Sequence, residues 1–238
     1  MITVNDLEVV FGKSKVLRNV SFGAEAGNII AVIGPNGSGK STLLKSILGL
    51  VKPSHGNIQV GKSKEGEKAS LSQIGYMPQT PSFPKNLAVS ELVDFFRKLE
   101  TFEEEVFHYL FEILGLKFDN DKKFGSLSGG TKQKVNILQC FSVRKPVYIV
   151  DEPTASLDPY VSHILKEVLL KKKKEGALLL FATHILSDVE EVSDRFLLLS
   201  EGSLLIDDTP RKFLEKGKFP NLQSSLMEFW NQEYEKHR

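Results

Sequence analysis

The stretch Ile33 to Thr42, IGPNGSGKST, constrains this chain more than any other. It satisfies G-x-x-x-x-G-K-[ST] and lies between an apolar run, NIIAVI, and a segment whose Leu43, Leu44, Ile47 and Leu48 share one helical face. Gly34, Pro35, Asn36, Gly37, Ser38 and Gly39 are small or turn-forming, so consecutive backbone N–H groups can turn inward around phosphate oxygens. The helix that starts here adds the positive end of its dipole. Lys40 is then placed for β- and γ-phosphates, the Ser41 hydroxyl for Mg²⁺, and Thr42 for the same binding turn. A chance glycine turn with a lysine would lack the buried strand before it and the helix after it. The spacing predicts strand, phosphate loop, helix, with Gly49 as the stop.

The chain has 238 residues and a net charge of +1, which suits one large domain and gives no basic field for nucleic acid. Its apolar runs, such as ALLLFAT from Ala177, are too short to span a bilayer and suit buried parallel strands. The start lacks the charged and apolar regions of a signal peptide, so a membrane role is expected to come through a partner chain. The single cysteine, Cys140, excludes an internal disulfide.

The opening reads as short strands, with Val20, Phe22 and Ala24 alternating with Ser21 and Gly23. GKSKEGEKAS reads as an exposed turn. From Pro84 the pattern becomes helical: Val89, Leu92, Val93 and Phe96 form one face, and Val106, Leu110, Ile113 and Leu114 another, stopped by Gly115. VYIVDE, ALLLFAT and RFLLLSEG are further strands, and Pro159 to Lys174 is a helix with Ile164, Leu165, Val168 and Leu169 inward. The KKKKEG run is expected to be its solvated end. The fold expected is α/β: a catalytic core of residues 1–83 and 142–206, a helical insertion of 84–141 and a tail of 207–238. In that tail Leu222, Leu226 and Trp230 form an amphipathic helix, which either packs on the core or serves a partner.

Two further segments carry chemistry. Val147 to Val150 deliver Asp151 and Glu152 at a strand's C-terminal end, where open α/β sheets bind ligands. Asp151 would hold Mg²⁺ through water, and Glu152 would orient and partly deprotonate an attacking water. Leu127 to Thr131, LSGGT, then opens a second helix with Ser128, Gly129 and Gly130, a second anion-binding helix start. One nucleotide has one γ-phosphate. A second such start implies either two sites or one site shared between subunits.

With these residues in order, the chain resembles the nucleotide-binding subunit of ABC transporters. The order is phosphate loop, Gln79, LSGGT, the Asp-Glu strand, ASLD (Ala155 to Asp158) and His184, and the resemblance runs to about residue 207. It implies a P-loop NTPase (RecA-like) core with an N-terminal antiparallel β subdomain and an inserted helical signature subdomain. It also implies ATP and Mg²⁺ as cofactors. Two copies would pair head to tail, Ser128, Gly129 and Gly130 of one capping the γ-phosphate held by Lys40 of the other. Gln79 resembles the residue that senses Mg²⁺ and the water, His184 the switch histidine, and Asp158 the loop residue that crosses the dimer. Phe11 stands where an aromatic, more often tyrosine, stacks on adenine. The implied setting is the cytoplasmic face of a membrane, peripheral, beside a separate polytopic permease, with import and export equally served by such a motor.

Thr131 stands where this family most often has glutamine, and Lys134 where arginine is usual. Neither removes a phosphate contact. GYMPQTPSFPKNLAVSEL, LSGGTKQKVN and THILSDVEEVSDRFLLLSEG together resemble the copper-handling ATPases of nitrous-oxide reductase maturation, while related exporter ATPases share parts of each phrase. His55, His108, His163 and His237 have no paired spacing, so surface or structural roles are expected rather than copper ligation. Two other classes stay open. A relative acting on ribosomes or DNA would usually carry two nucleotide domains, a long coiled-coil insertion or more charge, and a non-catalytic scaffold would lack Asp151, Glu152 or His184.

Overall fold

The computed structural model describes residues 1–61, 71–99, 101–117, 122–154, 157–217 and 219–236. Its strands, in chain order, are β1 (Ile2–Phe11), β2 (Ser14–Ala24), β3 (Ile29–Ile33), β4 (His55–Val60), β5 (Ile74–Met77), β6 (Val147–Asp151), β7 (Leu178–Ala182), β8 (Arg195–Ser200) and β9 (Ser203–Asp208). The α-helices are α1 (Lys40–Ile47), α2 (Val89–Arg97), α3 (Glu104–Ile113), α4 (Gly129–Phe141), α5 (Pro159–Lys174), α6 (Leu186–Val192), α7 (Pro210–Gly217) and α8 (Leu222–Lys236). Beyond Gly61, the expected GKSKEGEKAS turn lies outside the described residues, as do Ala155, Ser156 and His237.

An antiparallel sheet, β2-β1-β4, forms the first layer. The opening strands are long rather than short, ten and eleven residues, because register shifts along β1 let two twisted strands stay paired. The alternation holds: Val20, Phe22 and Ala24 are buried while Ser21 and Gly23 face out.

The central sheet runs β5-β6-β7-β3-β8-β9, parallel except for β9, which pairs antiparallel to β8 at the edge. Every residue of β3, β6 and β7 is buried, as continuous apolar strands covered on both faces must be. Ile29, Ala31 and Ile33 pack into a cluster with the helical segment and α8, and Ile30 and Val32 into one with α1 and the antiparallel sheet. One strand therefore ties both halves of the molecule to the loop that follows it. β9 was not foreseen and carries the sheet to Asp208, two residues past the expected end of the core at 206.

In the helical segment, α3 buries Phe107 as well as Leu110 and Leu114, and Val106 and Ile113 are only partly covered. Aromatic packing explains the shift: Phe107 packs against Phe102 and Phe111, and Phe83 meets Phe96 and Phe124 edge to face. The lysine run needs correction. Lys172 is not solvated but 2% exposed, with its ammonium 3.0 Å from Glu103 and 3.3 Å from Glu175. Burial pushes its pKa down, yet Tyr148, Glu103 and Glu175 outweigh that and hold it above the usual lysine value. A helix periodicity rule cannot see that a fourth-turn lysine points at a neighbouring helix.

The tail helix α8 packs on the core through Leu222 and Leu226, both buried, with Trp230 half-buried beside them. Each buried leucine is worth about 1.5–3 kcal/mol. Cys140 is fully buried on α4, and burial pushes its thiol well up, the state of an inert core residue. His108 and His163 lie on the surface beside Glu104 and Glu167, as expected of solvated histidines. Among the described residues no helix is long and apolar enough to cross a membrane, and no cluster of His, Cys, Asp and Glu could hold a metal by itself.

Candidate functional site

The phosphate loop joins β3 to α1 and is held by backbone on both sides. Gly34 has φ 150, and a Cβ there would lie 2.1 Å from Leu199 O. Gly39 has φ 104, and a Cβ there would meet the Leu17 side chain at 2.7 Å and Val16 O at 3.1 Å. Only glycine fits either place. Ser38 O accepts from Gly202 N at 3.1 Å, so the β8–β9 turn braces the loop. Among the described residues no side chain caps α1, which leaves its first N–H groups available to an anion.

Lys40 is 7% exposed and bends back over the loop, its Nζ donating to Gly34 O at 2.8 Å and Pro35 O at 3.2 Å. Burial lowers its pKa, opposed by Glu152 and Asp151. Ser41 Oγ donates to Asp151 Oδ1 at 3.2 Å, bringing together the hydroxyl of α1 and the carboxylate of β6. Asp151 is 3% exposed, and burial raises its pKa, with Ser41, Lys45 and Lys40 pulling the other way and Glu152 adding to the rise. A buried carboxylate beside a hydroxyl suits a hard, oxygen-seeking cation such as Mg²⁺, whose charge would relieve that penalty. Two protein groups leave the remaining positions to water and phosphate oxygens, which is how Mg²⁺ is commonly held. Tyr76 on β5, not singled out in the sequence, senses the same carboxylate: burial and Asp151 push its phenol up.

Glu152 follows directly, with its side chain 8% exposed and its Oε2 2.7 Å from His184 Nδ1. His184 is 57% exposed, so the imidazole forms the outer wall of the pair. Glu152 has φ 48, a left-handed backbone uncommon for a residue with a side chain. Its N–H donates to Ala182 O at 2.9 Å, which fixes the turn.

α4 starts on the far side of the helical segment from this group of residues in sequence, and it is exposed at Ser128, Gly129 and Gly130. Ser128 Oγ accepts from Thr131 N at 3.2 Å and is 2.8 Å from Thr131 Oγ1. The threonine at 131 thus belongs to the cap. Further along α4, Gln133 Nε2 donates to Gln79 O at 3.3 Å and Asn136 Nδ2 to Pro78 O at 2.9 Å. Gln79 itself is exposed at the end of the segment that follows β5. Asp158 caps α5 through Val161 N at 2.9 Å and is exposed. Phe11 ends β1 and is 52% exposed, an aromatic face available for stacking.

A cavity of about 1020 Å³ opens along Gly34 to Ser38, walled by His184, Leu186, Leu226, Met227 and Trp230. Its lining among the described residues draws on α8 and on the His184 loop, and on none of Ser128, Gly129 and Gly130. Hydrogen bonds join Ser41 to Asp151 and Glu152 to His184, Lys40 lies close enough to feel both carboxylates, and among the described residues no hydrogen bond or ion pair links Ser128, Gly129 or Gly130 to them. Thr154 and Asp188, which are hydrogen-bonded to each other, were missed by sequence reading. They lie 34 residues apart, and no local pattern pairs them.

Known proteins share this fold. The family model described as ABC transporter matches residues 17–155. The ABC-type transporter ATP-binding protein EcsA of Bacillus subtilis (strain 168) is 34% identical over 210 residues, covering 86% of this chain and 85% of that protein. The lantibiotic transport ATP-binding protein SrtF of Streptococcus pyogenes is 30% identical over 207 residues, covering 87% of this chain and 90% of the relative. A solved ATP-binding subunit of an ABC transporter superposes with a TM-score of 0.86 at 30% identity, covering 96% of this chain and 98% of that one. The chain belongs to the ABC transporter family, as an ATP-binding cassette of the kind that hydrolyses ATP to power transport.

Proposed function

We propose that two copies of this chain sandwich two ATP molecules head to tail and drive a separate polytopic membrane permease. One observation carries the reading. Gly129 and Gly130 sit in the first turn of a helix, where glycine lowers helix propensity relative to alanine, yet a Cβ at either would meet no described atom within 4 Å. Nothing described in the chain's own fold explains them. A phosphate and a second subunit approaching this helix start would.

In this reading residues 1–83 and 142–206 form the catalytic core, 84–141 the signature subdomain and 207–238 the tail. The loop from Gly34 to Thr42 cradles the phosphates, with Lys40 on the β- and γ-oxygens, and Phe11 stacks on adenine. Ser41 and Asp151 hold Mg²⁺, and Gln79 senses it with the attacking water. When bound, Mg²⁺ neutralises charge on the β- and γ-phosphate oxygens. Glu152 takes the proton of the water, His184 holds Glu152 and meets the γ-phosphate, and Ser128, Gly129 and Gly130 of the second copy cap that phosphate. Asp158 reaches across the pair. Catalysis is then positioning and electrostatic stabilisation. The chain sits peripherally on the cytoplasmic face of the membrane.

Replacing Glu152→Gln removes the base and keeps the shape. Steady-state hydrolysis is expected to fall about 10²–10⁴-fold with ATP binding intact. Undiminished turnover would overturn the role given to Glu152.

The narrower reading concerns cargo. The phrases around Gln79, Ser128 and His184 support export of copper or a sulfur species for nitrous-oxide reductase maturation. In this reading the metal is held elsewhere, since the chain's histidines have no paired spacing and it has one cysteine and three methionines. Deleting the gene in a host that carries the reductase is expected to leave that enzyme short of copper. Normal copper content in the deletion strain would contradict it.

A further inference from the structure

Thr154 lies two residues beyond Glu152, on the segment that leads to Asp158. It is 8% exposed, and its Oγ1 donates to Asp188 Oδ2 at 2.7 Å. Asp188 is 4% exposed, in the first turn of α6, four residues after His184. Its other oxygen is 2.7 Å from Lys166 Nζ of α5, and Lys166 also pairs with Glu191. One buried carboxylate therefore joins three segments: the one that carries Glu152, the helix capped by Asp158, and the helix that follows His184.

Such a group is a poor device for stability alone. A buried ion pair can often be replaced by apolar residues at no loss, because desolvation offsets the attraction. Its place in the fold suggests another use. A left-handed non-glycine residue costs on the order of 1–3 kcal/mol and persists only where its surroundings impose it. Glu152, at φ 48, is held by its own N–H on Ala182 O and by His184 on its carboxylate. Beyond it, Thr154 O accepts from Leu157 N at 3.1 Å while the Thr154 hydroxyl is pinned to Asp188. The same Asp188 N–H donates to Ile185 O at 3.2 Å, so the turn carrying His184 is tied to the same point.

We propose that Thr154, Asp188 and Lys166 form a positioning unit that holds the Glu152 and His184 loops in register, so that carboxylate and imidazole address the attacking water together. The inference deepens the hydrolysis reading and rests on Glu152 as the base.

The test compares kcat and nucleotide affinity in the full chain for Thr154→Val, Thr154→Ser, Asp188→Asn and the Val/Asn double variant. A displacement of even 1 Å in a catalytic group can cost about 10²-fold, so Thr154→Val is expected to lower kcat tenfold or more. ATP affinity should stay within about twofold, and Thr154→Ser should restore kcat. The double variant should be no slower than the slower single one, the signature of groups acting as a unit. Wild-type kcat in Thr154→Val, an equal loss in ATP affinity, or independent effects in the double variant would each overturn the proposal. If Thr154→Val does not fold, Thr154→Cys keeps the volume with a much weaker donor, and the same split is read on it. Glu152→Gln is measured alongside: retained turnover there overturns the base assignment and the proposal with it, whereas lost turnover there with an unchanged Thr154→Val overturns the proposal alone.

Discussion

Two helices of this protein begin at glycine-bearing loops, and the two beginnings are not alike. α1 starts at Gly39, with no described side-chain cap, a buried lysine, and a loop whose Gly34 and Gly39 are forced by Leu199, Leu17 and Val16. α4 starts at Ser128, already capped through Thr131, with exposed glycines that touch nothing described in their own chain. The first is a loop shaped by contacts within its own fold. The second is a helix end stabilised on its own terms, whose glycines answer to something outside. In one region the fold dictates glycine, and in the other nothing described in the fold does.

The sharpest way to break this contrast is to disable each end separately. Lys40→Ala is expected to abolish ATP binding in the single chain. Gly130→Asp should leave that binding within about twofold and yet lower hydrolysis by about 10²-fold, since a charge would stand where a phosphate must approach. The check is nucleotide titration followed by Trp230 fluorescence, the protein's one tryptophan lying on the same cavity as the phosphate loop, together with phosphate release. Equal binding losses in the two variants would erase the distinction.

A smaller effect separates the glycines themselves. Gly39→Ala places a Cβ 2.7 Å from Leu17 at φ 104 and is expected to destabilise the fold by about 1–3 kcal/mol. Gly129→Ala meets open space in a helix and should stabilise it by about 0.5–1 kcal/mol. Denaturant midpoints of the nucleotide-free protein read both, and a destabilised Gly129→Ala would mean that the α4 glycines do serve the chain's own fold.

A further effect concerns the charge at the end of β6. The pKa of Asp151 is raised in the folded protein, mainly by burial. A raised folded pKa contributes stability that is fully present below the unfolded value and is lost as pH rises through the folded one. At neutral pH the ionised carboxylate is thus a cost to the nucleotide-free fold. Asp151→Asn is expected to raise the melting temperature of the nucleotide-free protein by roughly 2–4 °C at pH 7, with the gain vanishing towards acid pH. An Asp151→Asn protein that melts lower at pH 7 would contradict that reading.

Legibility in the sequence followed the range of the forces involved. β3, the phosphate loop and α1 were readable because a buried strand, a glycine loop and a 3.6-residue stripe are all local patterns. So were β6 with its Asp151 and the inward face of α5. The length of β1 and β2 was not, because bulges decide it and they arise from pairing. Lys172 was misjudged because its partners, Glu103 and Tyr148, come from other elements. The α3 stripe shifted towards Phe107 because neighbouring aromatic rings chose it. Of the residues read from motifs, the structure brings Lys40, Ser41, Asp151, Glu152 and His184 near one another, whereas the Thr154–Asp188 pair has no local pattern and rests on one long-range hydrogen bond.

The central claim is that the α1 site of one copy is completed by the α4 start of another. Mixing two inactive variants, Lys40→Ala and Gly130→Asp, tests it most directly. A mixed pair contains one intact site, built from the phosphate loop of the second variant and the α4 start of the first. Hydrolysis well above the sum of the two separate variants is the expected result. A mixture no more active than that sum, under conditions where tagged copies of the two variants are shown to associate, would contradict the account.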